Sequence, residues 1–212
     1  MAEQTQIPVY LFTGFLEAGK TKFIQETLED KRFNNGEPTL LLVCEEGIEE
    51  YEPEEFSGSR VKLKAVEEES ELTPENLSAW LKAAGAERVM VEYNGMWMLD
   101  SLYGALPENW LVAQEFMFAD AGTFLTYNAN MRQLVVDKLA GAELVVFNRM
   151  TPGADIMPFH KIARAVNRKI DIIYEFSDGT TQYDEIEDPL PFDLSAPVVE
   201  IGIEENGVTM LL

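Results

Sequence analysis

The feature that most constrains the fold is a glycine-rich loop between an apolar stretch and an amphipathic one. The loop matches the pattern G-x-x-x-x-G-K-[ST] at every fixed position, and those positions are Gly14, Gly19, Lys20 and Thr21. The apolar residues 9–12 before it predict a buried strand, and apolar side chains at helical spacing over residues 20–30 predict a helix after it. This strand–loop–helix context is the one that the pattern requires. The sequence therefore predicts a phosphate-binding loop in an α/β fold.

The chemistry of such a loop follows from its backbone. Two glycines permit torsions that turn successive N–H groups toward an anion, and the helix N-terminus adds the positive end of its dipole. We expect Lys20 to neutralise the β- and γ-phosphates of a nucleotide and the Thr21 hydroxyl to ligate Mg²⁺. The residues expected to bind the nucleotide are Gly14, Phe15, Leu16, Glu17, Ala18, Gly19, Lys20, Thr21 and Lys22. The alternative is a glycine-rich turn that binds nothing.

The charge of the chain narrows the range of partners. Among 212 residues, 38 Asp and Glu outnumber 16 Lys and Arg, which gives a formal net charge of -22. Nucleic acids and anionic membranes are bound through basic side chains, so we expect neither as a partner. The polar residues 1–8 lack a signal-peptide pattern, and no apolar run reaches the about 18 residues of a membrane span. A single cysteine excludes an internal disulfide and a multi-thiolate metal site. We expect an acidic, single-domain, cytoplasmic protein.

The order of apolar and amphipathic stretches predicts the architecture. We predict strands at residues 9–12, 39–43, 61–66, 88–91, 110–118, 144–147 and 170–176, and helices at residues 20–30, 74–85, 96–106, 130–139 and 154–166. This alternation is typical of an α/β, three-layer domain with a mostly parallel central sheet and helices on both faces. We assign residues 1–176 to that domain. Residues 177–212 form an acidic extension that we expect to end in a hairpin around Asn206-Gly207 and to pack on the same domain.

Two carboxylates stand at the ends of predicted strands. Glu92 closes the apolar residues 88–91, where an unpartnered carboxylate would be costly to bury. We therefore expect Glu92 to approach Mg²⁺, through water, beside the phosphate loop. Asp120 stands in a similar position after residues 110–118. It is either a second group around Mg²⁺ or the cap of the segment that follows.

An acidic stretch follows the second predicted strand. Seven of the twelve residues 44–55 are glutamates, and the stretch also contains Pro53. Its carboxylates could hold a hard or borderline cation, but a run of like charge more often faces water, and we read it as an exposed loop or short helix. We expect Cys44 to be a small buried side chain rather than a ligand. We expect His160, on the helix predicted at residues 154–166, to be exposed.

Several segments, in the right order, resemble CobW-type proteins, which belong with the hydrogenase- and urease-accessory GTPases. Residues 13–21 resemble the family's T-G-F-L-G-S-G-K-T opening. The other matching segments are residues 92–95 (E-x-x-G), 118–124 (V-V-D-A-x-x-F), 142–149 (A-D-x-I-V-L-N-K) and 164–167 (R-x-L-N). The likeness spans about residues 7–175. It implies a nucleotide-binding domain without the family's separate C-terminal domain.

The resemblance implies binding and slow hydrolysis of GTP with Mg²⁺, in an accessory step of metal-centre assembly or metal handling. It implies that Asn148 and Arg149 contact the base, and that a client protein or a homodimer completes the site. Three departures qualify this. Thr151 stands where the family has the aspartate that reads guanine, so GTP and ATP both stay open. The metal-binding C-x-C-C is absent, and Glu17 replaces a small loop residue. The competing hypothesis is a degenerate, non-hydrolysing module that regulates a partner.

Overall fold

A computed structural model describes residues 6–45, 47–58 and 60–186, together with the backbone of two strands further on. The strands are β1 (Ile7–Thr13), β2 (Thr39–Val43), β3 (Val61–Ala65), β4 (Arg88–Glu92), β5 (Trp110–Asp120), β6 (Leu144–Met150), β7 (Asp171–Phe176), β8 (Thr181–Tyr183), β9 (Glu200–Glu204) and β10 (Gly207–Leu211). The helices are α1 (Lys20–Glu29), α2 (Pro74–Ala84), α3 (Leu99–Ala105), α4 (Ala121–Asn130), α5 (Arg132–Gly141) and α6 (Met157–Val166). Short 3-10 helices lie at Pro53–Glu55 and Glu69–Glu71.

The first eight strands form one sheet in the order β3-β2-β4-β1-β5-β6-β7-β8. All neighbours are parallel except β8, which runs antiparallel to β7 at the edge. β1 lies between β4 and β5, so the chain leaves β1 at the point where the strand order reverses. Ligands of open α/β sheets bind in the crevice at the carboxyl ends of the strands, at such a reversal.

Helices cover both faces of the sheet, which confirms the predicted three-layer α/β fold. Alternate side chains of β1 point to opposite faces, as the pleat requires. Val9 and Leu11 pack with residues of α2 and α3, whereas Phe12 packs with Ile24 and Leu28 of α1. A third cluster joins β5, β6 and β7 to α4, α5 and α6. The sheet is buried on both faces at its centre, and all five residues of β4 are buried.

Several element boundaries differ from those predicted from the sequence. The helix predicted from residue 96 begins only at Leu99, and helix α4 was missed. Its N-terminus is capped by Asp120, whose carboxylate accepts the Gly122 N–H. The edge strand β8 was also missed, because Thr181–Tyr183 is polar and exposed and has no apolar alternation. No helix in the described ranges is long and apolar enough to span a bilayer.

The end of the chain contains two strands that pair with each other. β9 and β10 are antiparallel, with Gly207 opposite Glu204. Asn206, placed in the predicted turn, lies outside the described residues. The division at residue 176 and the packing of the extension stay predictions. The first part of that extension does add β8 to the main sheet.

Candidate functional site

The predicted phosphate loop joins β1 to α1 at the carboxyl edge of the sheet, and its glycines have the torsions that the motif requires. Gly14 has φ of 134°, and a Cβ there would lie 2.2 Å from the Phe118 carbonyl oxygen. Gly19, at the N-terminus of α1, has φ of 93°. Glu17 has φ of 60°, an uncommon value for a residue with a side chain. No larger residue would fit at Gly14, so the loop shape depends on that glycine.

The loop side chains divide into buried anchors and an exposed tip. Phe15 is buried, and its ring stacks on Tyr127 with centroids 4.1 Å apart. Ala18 is also buried, whereas Leu16 and Glu17 are exposed. Glu17 also lines the cavity beside Lys20 and Thr21, so this departure from a small loop residue lies at the edge of the site.

Lys20 is folded back onto the loop that it follows. Its side chain is 2% exposed, and its Nζ donates to the carbonyl oxygens of Gly14 at 2.8 Å and Phe15 at 3.0 Å. The third partner is the Glu45 carboxylate, with Nζ 2.6 Å from Oε2. A buried ammonium requires such pairing, since burying an isolated charge is costly. Lys20 is thus held at the centre of the site.

Thr21 and Glu92 form the second element of the site. The Thr21 hydroxyl donates to Glu92 Oε1 at 2.6 Å, and the Tyr51 hydroxyl donates to Glu92 Oε2 at 2.5 Å. Burial raises the pKa of Glu92, and the hydrogen bonds from Thr21 and Tyr51 partly oppose that rise. A hydroxyl and a carboxylate oxygen are the hard oxygen donors that Mg²⁺ prefers. These residues therefore fit a magnesium ion next to Lys20.

The segment after β4 lies directly against the phosphate loop. A Cβ on Gly95 would be 2.7 Å from both the Gly14 carbonyl oxygen and Phe15 Cα. The Gly95 N–H donates to Glu45 Oε1 at 3.2 Å, so Glu45 bridges this segment and Lys20. Buried Lys138 of α5 also contacts this segment, since its Nζ donates to the Trp97 carbonyl oxygen at 3.1 Å.

Asn148 and Arg149, near the end of β6, form hydrogen bonds with the backbone of the phosphate loop. Asn148 Nδ2 donates to the Ala18 carbonyl oxygen at 2.6 Å. Arg149, with φ of 54°, donates through Nη1 to the Glu17 carbonyl oxygen at 2.7 Å and to Asp120 Oδ2 at 2.8 Å. The predicted pair is therefore adjacent to the phosphate loop.

Asp120 acts as a helix cap and an ion-pair partner. Its Oδ1 accepts the Gly122 N–H at 2.7 Å and its Oδ2 accepts from Arg149. Of the two roles left open by the sequence, the capping contact is present, and a role around Mg²⁺ stays a prediction. A carboxylate at a helix N-terminus is also favoured by the helix dipole.

Of the cavities that the described residues line at the start of α1, two contain both Gly19 and Arg149. One, of about 170 Å³, is lined by Lys20, Thr21, Glu92 and Arg149, with residues 47–49 at its rim. The other, of about 280 Å³, includes Lys22, Phe118, Asn148 and Phe176 in its lining. Lys22 is exposed there, with Nζ 3.9 Å from Glu26. Gly19 and Arg149 line both cavities, so the two cavities adjoin each other at the N-terminus of α1.

The sequence missed Glu45 and Tyr51 as site residues, because both lie in the acidic stretch that was read as solvated. The signal that could have found them is the position of this stretch directly after β2, a neighbour of β4 in the sheet. Cys44 is buried, as predicted, and burial raises the pKa of its thiol to about 12. Within the described ranges, no group of three His, Cys, Asp or Glu side chains could hold a metal ion.

His160 was expected to be exposed, and this prediction is wrong. The side chain is fully buried on α6, with Nδ1 3.0 Å from Asp184 Oδ2. Asp184 also accepts from Arg164 at 3.1 Å. The reason is the unpredicted β8, which brings Asp184 back over α6 just after Tyr183.

Comparison with solved structures identifies the fold. No family profile matches the sequence, and no curated protein sequence matches it significantly. The Zn(II)-bound YjiA GTPase from E. coli superposes with a TM-score of 0.56 at 17% identity, over 80% of this chain and 57% of that chain. The hydrogenase maturation factor HypB from Archaeoglobus fulgidus gives a TM-score of 0.54 at 16% identity, over 82% of each chain. This chain therefore spans 57% of the length of the YjiA chain. It has the fold of a CobW/HypB-type P-loop GTPase, as the sequence resemblance predicted.

Proposed function

We propose that this chain binds a purine nucleoside triphosphate with Mg²⁺ and hydrolyses it slowly. One observation carries the proposal: Lys20 and the Thr21–Glu92 pair lie together at the N-terminus of α1, under a loop that only its glycines permit. Backbone N–H groups at a helix N-terminus bind phosphate, and the neighbouring lysine neutralises its charge. The fold alone does not specify a nucleotide site, so the argument depends on these side chains.

Each side chain has a role in this proposal. Lys20 binds the β- and γ-phosphate oxygens, and the backbone of residues 14–21 orients the rest of the triphosphate. Thr21 and Glu92 hold Mg²⁺, with Asp120 as a further carboxylate near the same edge. The bound ion would neutralise charge that develops on the phosphate oxygens. We expect slow turnover, since catalysis in such domains depends on a partner group that stabilises that charge.

The identity of the bound base depends on the residues that contact the nucleoside. In this proposal Asn148 and Arg149 contact the base from the cavity that they line together with Lys22 and Phe176. GTP is the first candidate because of the resemblance. Thr151 has no carboxylate to accept the paired hydrogen bonds of guanine, and hydrogen bonds to charged groups contribute about 1.5–3 kcal/mol each. We therefore propose that ATP is also accepted.

The wider role that we propose is a nucleotide-gated accessory step in metal handling, with a client protein or a second copy of the chain as partner. It is supported by the two structural neighbours, of which one is a Zn(II)-bound GTPase and the other a hydrogenase maturation factor. At 16–17% identity these neighbours support the fold, and the role is an extension from it.

A second candidate is a non-hydrolysing module that regulates a partner. The observation that favours it is the number of internal contacts in the site: Glu45 engages Lys20, and Tyr51 engages Glu92. Both contacts use groups that the first proposal assigns to phosphate and Mg²⁺. A module held permanently in this state would keep the fold without turnover.

The experiment that tests the proposal is calorimetric titration of non-hydrolysable GTP and ATP analogues, with and without Mg²⁺. The wild type is compared with Lys20→Ala, with Thr21→Val, and with Lys31→Ala, which removes an exposed lysine beyond the end of α1. We expect binding of at least one analogue, its loss in Lys20→Ala, and loss of the Mg²⁺ dependence in Thr21→Val. Phosphate release from GTP and ATP then separates the two candidates. Absence of binding to a folded, nucleotide-free wild type would refute the proposed triphosphate hydrolysis and would favour the second candidate.

A further inference from the structure

The Glu45 carboxylate lies in a cradle of two donors from different parts of the site. Its Oε2 is 2.6 Å from Lys20 Nζ, and its Oε1 accepts the Gly95 N–H at 3.2 Å. The side chain is 9% exposed, so this is a buried contact and not a surface ion pair. Hydrogen bonds in which both groups are charged are the short and strong ones, as the lysine contact is.

The two donors are those that a terminal phosphate would use. Lys20 is the fixed lysine of the phosphate loop, whose partner in bound nucleotides is the β/γ-phosphate. The Gly95 amide lies next to the same loop. The backbone of Gly95 is so close to Gly14 and Phe15 that a Cβ at this position would not fit. A phosphate oxygen and a carboxylate oxygen carry the same sign of charge and accept the same hydrogen bonds. The cradle therefore has room for one of the two acceptors at a time.

We infer that Glu45 is an internal stand-in for the terminal phosphate, which a nucleoside triphosphate must displace in order to bind. This inference rests on the proposed nucleotide site and adds the regulation of that site. Glu45 lowers the affinity for triphosphates more than for diphosphates, because the position between Lys20 and Gly95 is the one assigned to the γ-phosphate, which a diphosphate lacks.

The displacement involves more than one side chain. Glu45 directly follows Cys44, whose carbonyl oxygen accepts from Asn94 Nδ2 at 3.1 Å. Tyr51, six residues further along the same segment, donates to Glu92. The carboxylate that leaves the cradle therefore lies on the segment that also engages the magnesium position. Arrival of a terminal phosphate with its cation changes both contacts of that segment together.

The test uses the full chain and tripolyphosphate with Mg²⁺ as a probe that has no base. Glu45→Gln keeps the shape of the side chain and removes its charge. Glu50→Gln is the matched control, since it removes the same charge from an exposed position of the same segment. A hydrogen bond to a charged group corresponds to about ten- to a hundredfold in an equilibrium constant. We expect Glu45→Gln to bind tripolyphosphate about tenfold or more tightly than the wild type, and Glu50→Gln to differ by less than about threefold.

A second variant keeps the test decisive if Glu45→Gln fails to fold. Glu45→Asp keeps the charge but shortens the side chain, so it is expected to raise tripolyphosphate affinity by a smaller factor. Each variant is also titrated with GDP and ADP, whose affinities should change less than those of the triphosphate analogues. Equal changes for di- and triphosphates, or no gain over Glu50→Gln, would overturn the inference.

The outcomes separate this inference from the proposed function. If the wild type binds no nucleotide but Glu45→Gln binds tripolyphosphate, the inference holds and the proposed function of the wild type fails. If the wild type binds triphosphates and Glu45→Gln binds them equally well, the proposed function holds and the inference fails. If no variant binds any of these probes, both are refuted.

Discussion

Replacing Tyr51 by phenylalanine removes one of the two hydroxyl donors to a buried carboxylate. The ring is kept, so packing changes little and the loss is that of the hydrogen bond to Glu92 at 2.5 Å. Such a bond to a charged group contributes about 1.5–3 kcal/mol. In a chain of this size, 1 kcal/mol corresponds to roughly 2–4 °C in melting temperature, so Tyr51→Phe should melt about 3–12 °C below the wild type near neutral pH.

The pH dependence of that loss provides a sharper test. Burial raises the pKa of Glu92 above its ordinary value of 4.5, and the Tyr51 hydrogen bond opposes the rise. Tyr51→Phe therefore raises this pKa further. A carboxyl group with a raised pKa in the folded state adds stability below its unfolded pKa and loses it as the pH rises through the folded pKa. The melting difference between wild type and Tyr51→Phe should thus shrink as the pH falls from about 7.5 to about 5.

The assay is thermal unfolding followed by circular dichroism at both pH values. Tyr183→Phe is the control, because Tyr183 is 66% exposed and its substitution should leave the melting temperature within about 1 °C. A melting difference for Tyr51→Phe that stays constant, or grows toward low pH, would show that the hydrogen bond to an ionised Glu92 is not the source of the effect.

Two further substitutions test the packing around the site. Gly95→Ala places a Cβ 2.7 Å from Phe15 Cα, so it should lower the unfolding free energy by about 1–3 kcal/mol and should also weaken triphosphate binding. In the control Gly104→Ala the new Cβ meets nothing within 4 Å, so that variant should be as stable as the wild type or more stable. The measurement is urea unfolding of both variants. Equal unfolding midpoints would contradict the close contact between Gly95 and the phosphate loop. Asp184→Ala leaves buried His160 without its carboxylate and should cost about 3–5 kcal/mol; a fall of less than about 2 °C in melting temperature would refute a structural role for that pair.

The sequence predicted the fold and the loop because both depend on local pattern. The glycine spacing of residues 14–21 and the apolar runs on either side require no knowledge of distant contacts. Glu92 was identified from the cost of burying a carboxylate at the end of an apolar strand, and it is indeed buried, at 3% exposure. Local rules of burial and backbone geometry were sufficient for these residues.

The residues that the sequence missed depend on contacts between distant segments. Glu45 and Tyr51 belong to a run of glutamates, and the usual fate of such a run is solvation. Their contacts with Lys20 and Glu92 cross 25 and 41 positions of the chain, which no periodicity encodes. His160 was misjudged for the same reason, since the carboxylate that permits its burial lies 24 positions away.

The pairing of β1 with β5 also determines when this protein can fold during synthesis. The Thr13 hydroxyl bonds to the Phe116 carbonyl oxygen across 103 positions, and the tight turn at Gly14 abuts Phe118. At roughly 5–20 residues per second, a ribosome needs about 5–20 s to extend the chain from β1 to β5. During that interval β1 lacks one of its two neighbouring strands, so Val9 and Leu11, which are fully buried in the folded protein, belong to an incomplete sheet. The strand that leads into the phosphate loop is synthesised well before its neighbour β5. Until the sheet is complete, its apolar residues are accessible to chaperones and to aggregation.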